Sequence, residues 1–321
     1  MKLKSKIIKL TVIIPALLLM LSGCTKNDVS KDGTTIVCTI FPIYDWVCEM
    51  TDGAENINVI LLCDNGADMH SFQPSVQDMM MIADSDVFIY VGGESDEWIE
   101  DCLSQNANAG RDEINLMEVL SNDTLEESDE GILEENHEEE EETDYDEHVW
   151  MSLKRSIKCI EAIEGVIEGK ADEKTASLIA NNTKAYTDKL TTLDEEYSDY
   201  FASVENPMII VADRFPFRYL VEDYGISYYA AFSGCSTETD ASFETIIELG
   251  KNLASSGKRT VYITEGGDEA LAKTVIEQAG IDANILVLDS IQTDNPNVLK
   301  ETNTGYFDIM KANLEVLKSG Q

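Results

Sequence analysis

From Ala176 to about Val204 the chain (ASLIANNTKAYTDKLTTLDEEYSDYFASV) runs some twenty-nine residues without glycine or proline. A single helix of that length extends about 43 Å at 1.5 Å per residue, enough to run the length of a lobe and join two of them. Asn206-Pro207 then ends it. On the N-terminal side, β-branched runs alternate with helix-like segments from Thr35 to about Asp123. Thr35–Phe41, Ile57–Leu62 and Val87–Val91 are apolar enough to be strands buried on both faces, as in parallel sheets. Ser95 reads as a helix N-cap with Asp96 and Glu97 in the first turn, and Trp150 to Gly169 has helical periodicity. On the C-terminal side the alternation returns. Strands are expected at Met208–Ala212, Ser227–Ala231, Thr260–Thr264 and Ile285–Leu288, with helices near Phe217–Asp223, Phe243–Ser255, Ala270–Gln278 and Thr304–Leu317. The expected fold is α/β: two lobes with mostly parallel sheets joined by a long helix, with a ligand cleft between them. The expected boundaries are 35–170 for the N-terminal lobe, 171–205 for the linking helix and 206–321 for the C-terminal lobe.

Composition supports two cores and narrows the partners. At 43% hydrophobic residues over 321 positions, disorder throughout is excluded. Sixty-two acids against 23 bases give a formal charge of −39, which repels phosphate backbones, so nucleic acid is not an expected partner. Such a surface attracts cations instead. Residues 122–147 concentrate the charge, with fifteen acids and no Lys or Arg in twenty-six positions, and read as a solvated or disordered acidic insertion on the edge of the first lobe.

The first 24 residues read as an address. Lys2, Lys4, Lys6 and Lys9 precede a short apolar run from Leu10 to Leu21, too short to span a bilayer. Leu21-Ser22-Gly23-Cys24 resembles a bacterial lipobox, so residues 1–24 are expected to be a signal peptide ending at a lipidated Cys24. The alternative is an ordinary secretory signal with an incidental cysteine. Losing four lysines and no acids takes the charge from −39 to −43. The remaining Cys38, Cys48, Cys63, Cys102, Cys159 and Cys235 show no CxxC pair and read as buried thiols rather than a disulfide framework or thiolate metal site. Cys38 with Cys63 stays open as a pair if their strands are neighbours.

Only three histidines exist, His70, His137 and His148, so a site built on imidazole is nearly enumerable. His70 lies in a turn-rich segment just after the second expected strand, and His148 where the acidic insertion ends and a helix begins. A lone loop histidine is usually only a surface residue. Two imidazoles leave a transition-metal site short of ligands, and carboxylates at strand ends supply candidates. Asp213, Glu265 and Asp289 follow the expected strands at 208–212, 260–264 and 285–288 and would project toward one rim.

Several motifs, taken in order, carry a resemblance. The lipobox, Phe41-Pro42-Ile43-Tyr44-Asp45-Trp46, Gly66-Ala67-Asp68-Met69-His70-Ser71-Phe72-Gln73-Pro74-Ser75, Ala83-Asp84-Ser85-Asp86, Asp146-Glu147-His148-Val149-Trp150 and Leu288-Asp289-Ser290 resemble the zinc and manganese ABC-transporter substrate-binding lipoproteins across essentially the whole mature chain. The resemblance implies a rigid two-lobed receptor that captures a divalent metal between its lobes and hands it to an ABC permease in the cytoplasmic membrane. It implies a monomer outside that membrane, held by its lipid anchor. By motif match His70 and His148 take the two N-lobe histidine positions and Asp289 the C-lobe aspartate. The family's third ligand, a His or Glu after the first strand of the second lobe, falls on Arg214, a poor ligand because it keeps its proton. Neighbouring Asp213 is the expected replacement, with Glu265 as substitute and water completing the shell. Zn2+ is the expected ion and Mn2+ the alternative, because any site with two histidines favours zinc on intrinsic affinity. The insertion departs from the histidine-rich loops of zinc-specific relatives, and reads equally as a weak metal antenna or a solvating tail.

Other functions remain in view. A secreted metal-dependent hydrolase needs histidines and acids in a cleft, but no HExxH or GxSxG motif occurs. A surface adhesin with incidental metal would tolerate loss of either histidine. The expected assignment is a receptor and not an enzyme.

Overall fold

The computed structural model describes residues 33–321 except 65, 67, 106–107, 129, 134–144, 237–240 and 293–294. The expected signal peptide with Cys24, and His137, lie outside the described residues. The first lobe contains β1 (Thr34–Cys38), α1 (Phe41–Thr51), β2 (Ile57–Leu61), α2 (Val76–Ala83), β3 (Val87–Tyr90), α3 (Glu97–Gln105), β4 (Asp112–Asn115), α4 (Leu116–Val119) and α5 (Leu153–Lys170). After α6 (Glu173–Ser203), the second lobe contains β5 (Met208–Phe215), α7 (Arg218–Tyr224), β6 (Ser227–Ser233), α8 (Phe243–Ser256), β7 (Thr260–Ile263), α9 (Glu269–Ala279), β8 (Asn284–Val287), α10 (Pro296–Thr302) and α11 (Tyr306–Gly320).

Each lobe holds a four-stranded sheet with the same order, β2-β1-β3-β4 and β6-β5-β7-β8, and every pairing is parallel. Burial explains the parallel choice, because Ile36, Val37, Val87, Phe88 and Ile89 are fully buried and need cover on both faces. The strand order reverses between β1 and β3, and again between β5 and β7. Loops leaving the carboxyl ends of those strands are where such sheets bind ligands.

Helix α6 begins where the Asp172 side chain accepts from Thr175 N at 2.9 Å, an N-cap. Its 31 residues extend about 46 Å. Ile179, Thr183, Tyr186, Leu190, Leu193, Tyr197 and Phe201 form one buried stripe at three- and four-residue spacing, which packs on α1, α5, α7 and α11. The C-terminal helix α11 thereby returns to α6 and α1, and one core cluster contains residues of both lobes, with Trp46, Trp150, Tyr197, Tyr219 and Tyr306 among them. Buried hydroxyls are satisfied across the junction: Tyr197 Oη donates to Met310 O at 2.6 Å, and Tyr306 Oη to Trp150 O at 2.6 Å.

Several local expectations are corrected. The strand expected over Thr35–Phe41 ends at Cys38, because Pro42 in the first turn of α1 fits a helix start and Ile40 is its extended N-cap. Edge strand β4 escapes hydrophobic patterning because its only buried residue is Ile114. Ser95 does not cap α3; it lies in a 3-10 turn, Glu94–Asp96, and faces the site described below. Strand β5 is longer than expected and its register shifts between Val211 and Arg214, so Asp213 sits within a bulge instead of after the strand. Strands β1 and β2 are neighbours, with Cys38 opposite Leu61, yet Cys38 and Cys63 are both buried free thiols.

The described ends of the acidic insertion are tethered to the fold, although Asn122, Glu126, Glu130 and Tyr145 stay exposed. Glu126 bridges Tyr145, while Leu133 N donates to Ala230 O at 3.0 Å and Ala230 N to Gly131 O at 2.8 Å, extending the edge of β6. Asp146 and Glu147 are buried. Among the described residues no helix is long and apolar enough to cross a membrane.

Asp45 on α1 accepts from Tyr306 N at 2.8 Å and Tyr186 Oη at 3.4 Å, joining α1, α6 and α11. Burial, with Glu49 and Asp308 adding to it against these hydrogen bonds, pushes its carboxyl from the ordinary 3.8 up to about 7. The folded protein therefore holds a proton that the unfolded chain releases in this window, and Asp45's contribution to stability is lost as pH rises from about 4 to about 7. Asp45→Asn is expected to remove about one proton from the linkage and flatten that part of a denaturation-versus-pH profile. An unchanged profile would show that Asp45 titrates normally.

Candidate metal centre

The segment carrying His70 leaves the carboxyl end of β2. Asp68 caps a 3-10 turn, Met69–Ser71, its Oδ1 accepting from His70 N at 3.1 Å. His148 heads a second 3-10 turn, Val149–Met151, and is fully buried. Asp146 Oδ1 accepts from His148 N at 2.8 Å and stands 3.0 Å from His148 Nδ1, so one carboxylate oxygen fixes both the backbone and the ring. A carboxylate only accepts, which places a proton on His148 Nδ1 and leaves Nε2 as the coordinating atom. His70 Nδ1 lies 2.6 Å from Ser95 Oγ, and Ser95 N donates to Glu147 Oε1 at 2.8 Å. Gly93 lets Glu147 approach: at φ +87°, a Cβ there would meet Glu147 Oε1 at 2.5 Å.

These supports bring the two Nε2 atoms to 3.2 Å from each other. A tetrahedral zinc with Zn–N bonds of about 2.05 Å holds two such nitrogens about 3.3 Å apart, so the spacing already matches chelation. Gln292 Nε2 stands 2.9 Å from His70 Nε2 and 2.7 Å from His148 Nε2, within reach to donate one amide hydrogen to each. Burial and the neighbouring His148 push His70 down to about 4. Burial also works against charge on His148, but Asp146, by charge and hydrogen bond, and Glu147 outweigh it and raise that imidazole.

The second lobe brings a cysteine to the imidazole pair. Among the described residues, the His/Cys/Asp/Glu group whose ligand atoms lie within 4.8 Å of one another is His70, His148 and Cys235. Cys235 follows β6, and Gly234 beside it lets the backbone press on the imidazole, since a Cβ there would meet His148 Cε1 at 2.7 Å. Asp213 lies outside this group: its Oδ1 accepts from Arg214 N at 2.8 Å, and its Oδ2 from Thr264 N and Oγ1 at 3.1 and 2.8 Å. Glu265 is used likewise. Its Oε2 accepts from Ser290 N at 2.7 Å and its Oε1 from Gln292 N at 3.0 Å, so it shapes the turn that presents Gln292. Asp289 Oδ1 accepts from Ile291 N at 2.8 Å in the same turn and also lies outside the group. Ile291 has φ +62°, a strained conformation for a β-branched residue, held by those bonds next to Gln292. Arg214 Nη1 pairs with Asp68 Oδ2 at 2.6 Å, so the arginine at the expected third-ligand position bridges the lobes at the rim. Against burial, that guanidinium holds Asp68 below the usual carboxylate range.

Cys235, Gln292, Ser95, Asp146 and Glu147 were not singled out as site residues from the sequence. The rule that drew attention to Asp213 applies equally to Ser233-Gly234-Cys235 after β6, and would have found the cysteine. The others depend on loop conformation. Asp146→Asn keeps the volume but weakens the acceptor that orients His148, so the affinity for zinc ions, read by competition with a chelator, is expected to fall about 10–100-fold with the circular dichroism unchanged. Undiminished affinity would mean that His148 does not bind through Nε2.

The geometry can be set beside known proteins. Residues 36–320 match the family model described as zinc-uptake complex component A, periplasmic (ZnuA). The zinc-binding lipoprotein AdcA of Streptococcus pneumoniae R6 is 27% identical over 315 residues, which cover 97% of this chain and 60% of that protein. The chain thus spans about 60% of the length of the first curated relatives it matches. The high-affinity zinc uptake system protein ZnuA of Bacillus subtilis is 25% identical over 322 residues, covering 95% of both chains. Among solved structures, the Zn(II)-bound ZnuA-like domain of Streptococcus pneumoniae AdcA superposes with a TM-score of 0.71 at 24% identity, over 90% of this chain and 98% of that one. The periplasmic zinc-binding protein TroA of Treponema pallidum gives 0.73 at 19%, over 90% and 99%. These structures share the two-lobed α/β fold, and with the family match spanning nearly all the described residues, the chain belongs to the ZnuA family of zinc-uptake components.

Proposed function

We propose that this protein is an extracytoplasmic zinc receptor that holds Zn2+ at the cleft through His70 and His148 and delivers it to an ABC permease. The observation that carries the reading is the 3.2 Å approach of two buried Nε2 atoms whose Nδ1 atoms are each engaged by Asp146 or Ser95. The Gln292 amide nitrogen reaches both Nε2 atoms, and a cation in its place would take both lone pairs as bonds. Zinc is favoured over manganese because imidazole raises affinity along the series that places zinc far above manganese. Asp289 is the carboxylate that the ion draws in from the turn beside Gln292, while Asp213 and Glu265 act by shaping the neighbouring turns.

The rest of the reading follows the family. Residues 1–24 serve as the signal peptide, Cys24 carries the lipid that holds the mature monomer at the outer face of the cytoplasmic membrane, and at least two acyl chains make that hold stable. Residues 35–170 and 206–321 act as the two lobes, with 171–205 as the helix between them. The role is capture and release of the ion, not catalysis. Relatives named as zinc-binding lipoproteins and zinc uptake proteins support the zinc assignment.

Calorimetry on His70→Ala, His148→Ala and the double variant tests this. Each single change removes a ligand and is expected to weaken zinc by more than the roughly 10–100-fold that an outer-shell change costs. Unchanged zinc affinity in the double variant would overturn the receptor reading. Removing residues 134–144 alone is expected to leave the tight site intact, whereas removing all of 122–147 takes Asp146 and Glu147 with it and is expected to abolish tight binding.

A further inference from the structure

We infer that Cys235 is a metal ligand, so that a thiolate of the second lobe joins the two imidazoles of the first lobe and the Asp289 carboxylate around the ion. The inference rests on the receptor reading and names a further donor from the second lobe.

Position is the first support. The Sγ of Cys235 and the ring nitrogens of His70 and His148 all lie within 4.8 Å of one another. A tetrahedral zinc with Zn–N near 2.05 Å and Zn–S near 2.3 Å sets N···S at about 3.6 Å, so the thiol closes by at most about 1.2 Å to coordinate. The second support is Gln292, whose amide nitrogen stands within 2.9 Å of both imidazole nitrogens, so a positive dipole already faces the pair. The third is the need created by Arg214. The arginine at the position where the family places a third ligand is paired with Asp68, which leaves that strand end without a donor. A cysteine on a different strand end of the same lobe fills the gap.

The chemistry balances. Coordination replaces the S–H bond of Cys235 by a Zn–S bond, and the thiol proton is released to water. Zn2+ with one thiolate, the Asp289 carboxylate and two neutral imidazoles makes a site of zero net charge. A thiolate is a soft donor that binds zinc far better than manganese, so Cys235 sets ion selectivity.

Cobalt(II) tests this, because a cobalt–thiolate bond gives an intense near-ultraviolet charge-transfer band that imidazole and carboxylate ligands do not. The purified protein is expected to develop that band at one equivalent of cobalt, and Cys235→Ser to bind cobalt without it. Zinc affinity is expected to fall at least about tenfold in Cys235→Ser, with manganese affinity changed less than about threefold. Cobalt binding without the band in the unmodified protein, a reading independent of any variant's folding, would overturn the inference. So would a band that persists in Cys235→Ser, which would assign it to another thiol. If His70→Ala and His148→Ala abolish binding while Cys235→Ser changes nothing, the receptor reading stands and this inference fails. If the histidine variants also bind normally, both fail.

Discussion

Two imidazoles aimed at one point, with the Gln292 amide nitrogen within 2.9 Å of both, are the arrangement on which the rest of the site depends. The arrangement is held from behind: Asp146 grips both the amide and the ring of His148, and Ser95, itself anchored on Glu147, stands against His70. Burial keeps water from relaxing the pair, and the facing nitrogens cannot turn away without abandoning hydrogen bonds to buried groups. Much of the surrounding geometry, from the glycines at 93 and 234 to the strained Ile291, follows from keeping those rings and their supports close.

The acidic character of the chain has two physical meanings. Most of the 62 acids set a surface field that repels anions and gathers cations. A few at the edges of the acid-rich segment act at short range: buried Asp146 holds His148, buried Glu147 accepts from Ser95 N, and half-buried Glu127 contacts Cys235. The segment therefore joins the long-range attraction of an ion to the local shaping of its site. Its arm along β6 also carries first-lobe sequence onto the second lobe, adding a connection beyond α6 and α11.

Arg214 illustrates how a change at a ligand position is absorbed. A guanidinium cannot coordinate a cation and would repel one, yet Asp68 neutralises it across the rim. The ion pair fastens the two lobes near the mouth of the site.

Periodicity was legible wherever burial on both faces forced a run of apolar residues, as in Val87–Tyr90, or a glycine-free stripe forced a helix, as in Glu173–Ser203. It failed where few side chains are buried, as in β4, and where proline at a helix start cut β1 short. The two histidines were legible because imidazole is scarce here. Carboxylates were not, because acids are abundant and their roles differ only in which amide lies within 3 Å. By itself the sequence determined the two α/β halves, the long helix between them and the pair of imidazoles, since these follow from local patterning and residue chemistry. Only the tertiary structure decided which second-lobe side chains face that pair, placing Cys235 and Gln292 there and turning Asp213 and Glu265 to backbone amides. Strand-end turns are set by long-range hydrogen bonds that no local pattern encodes.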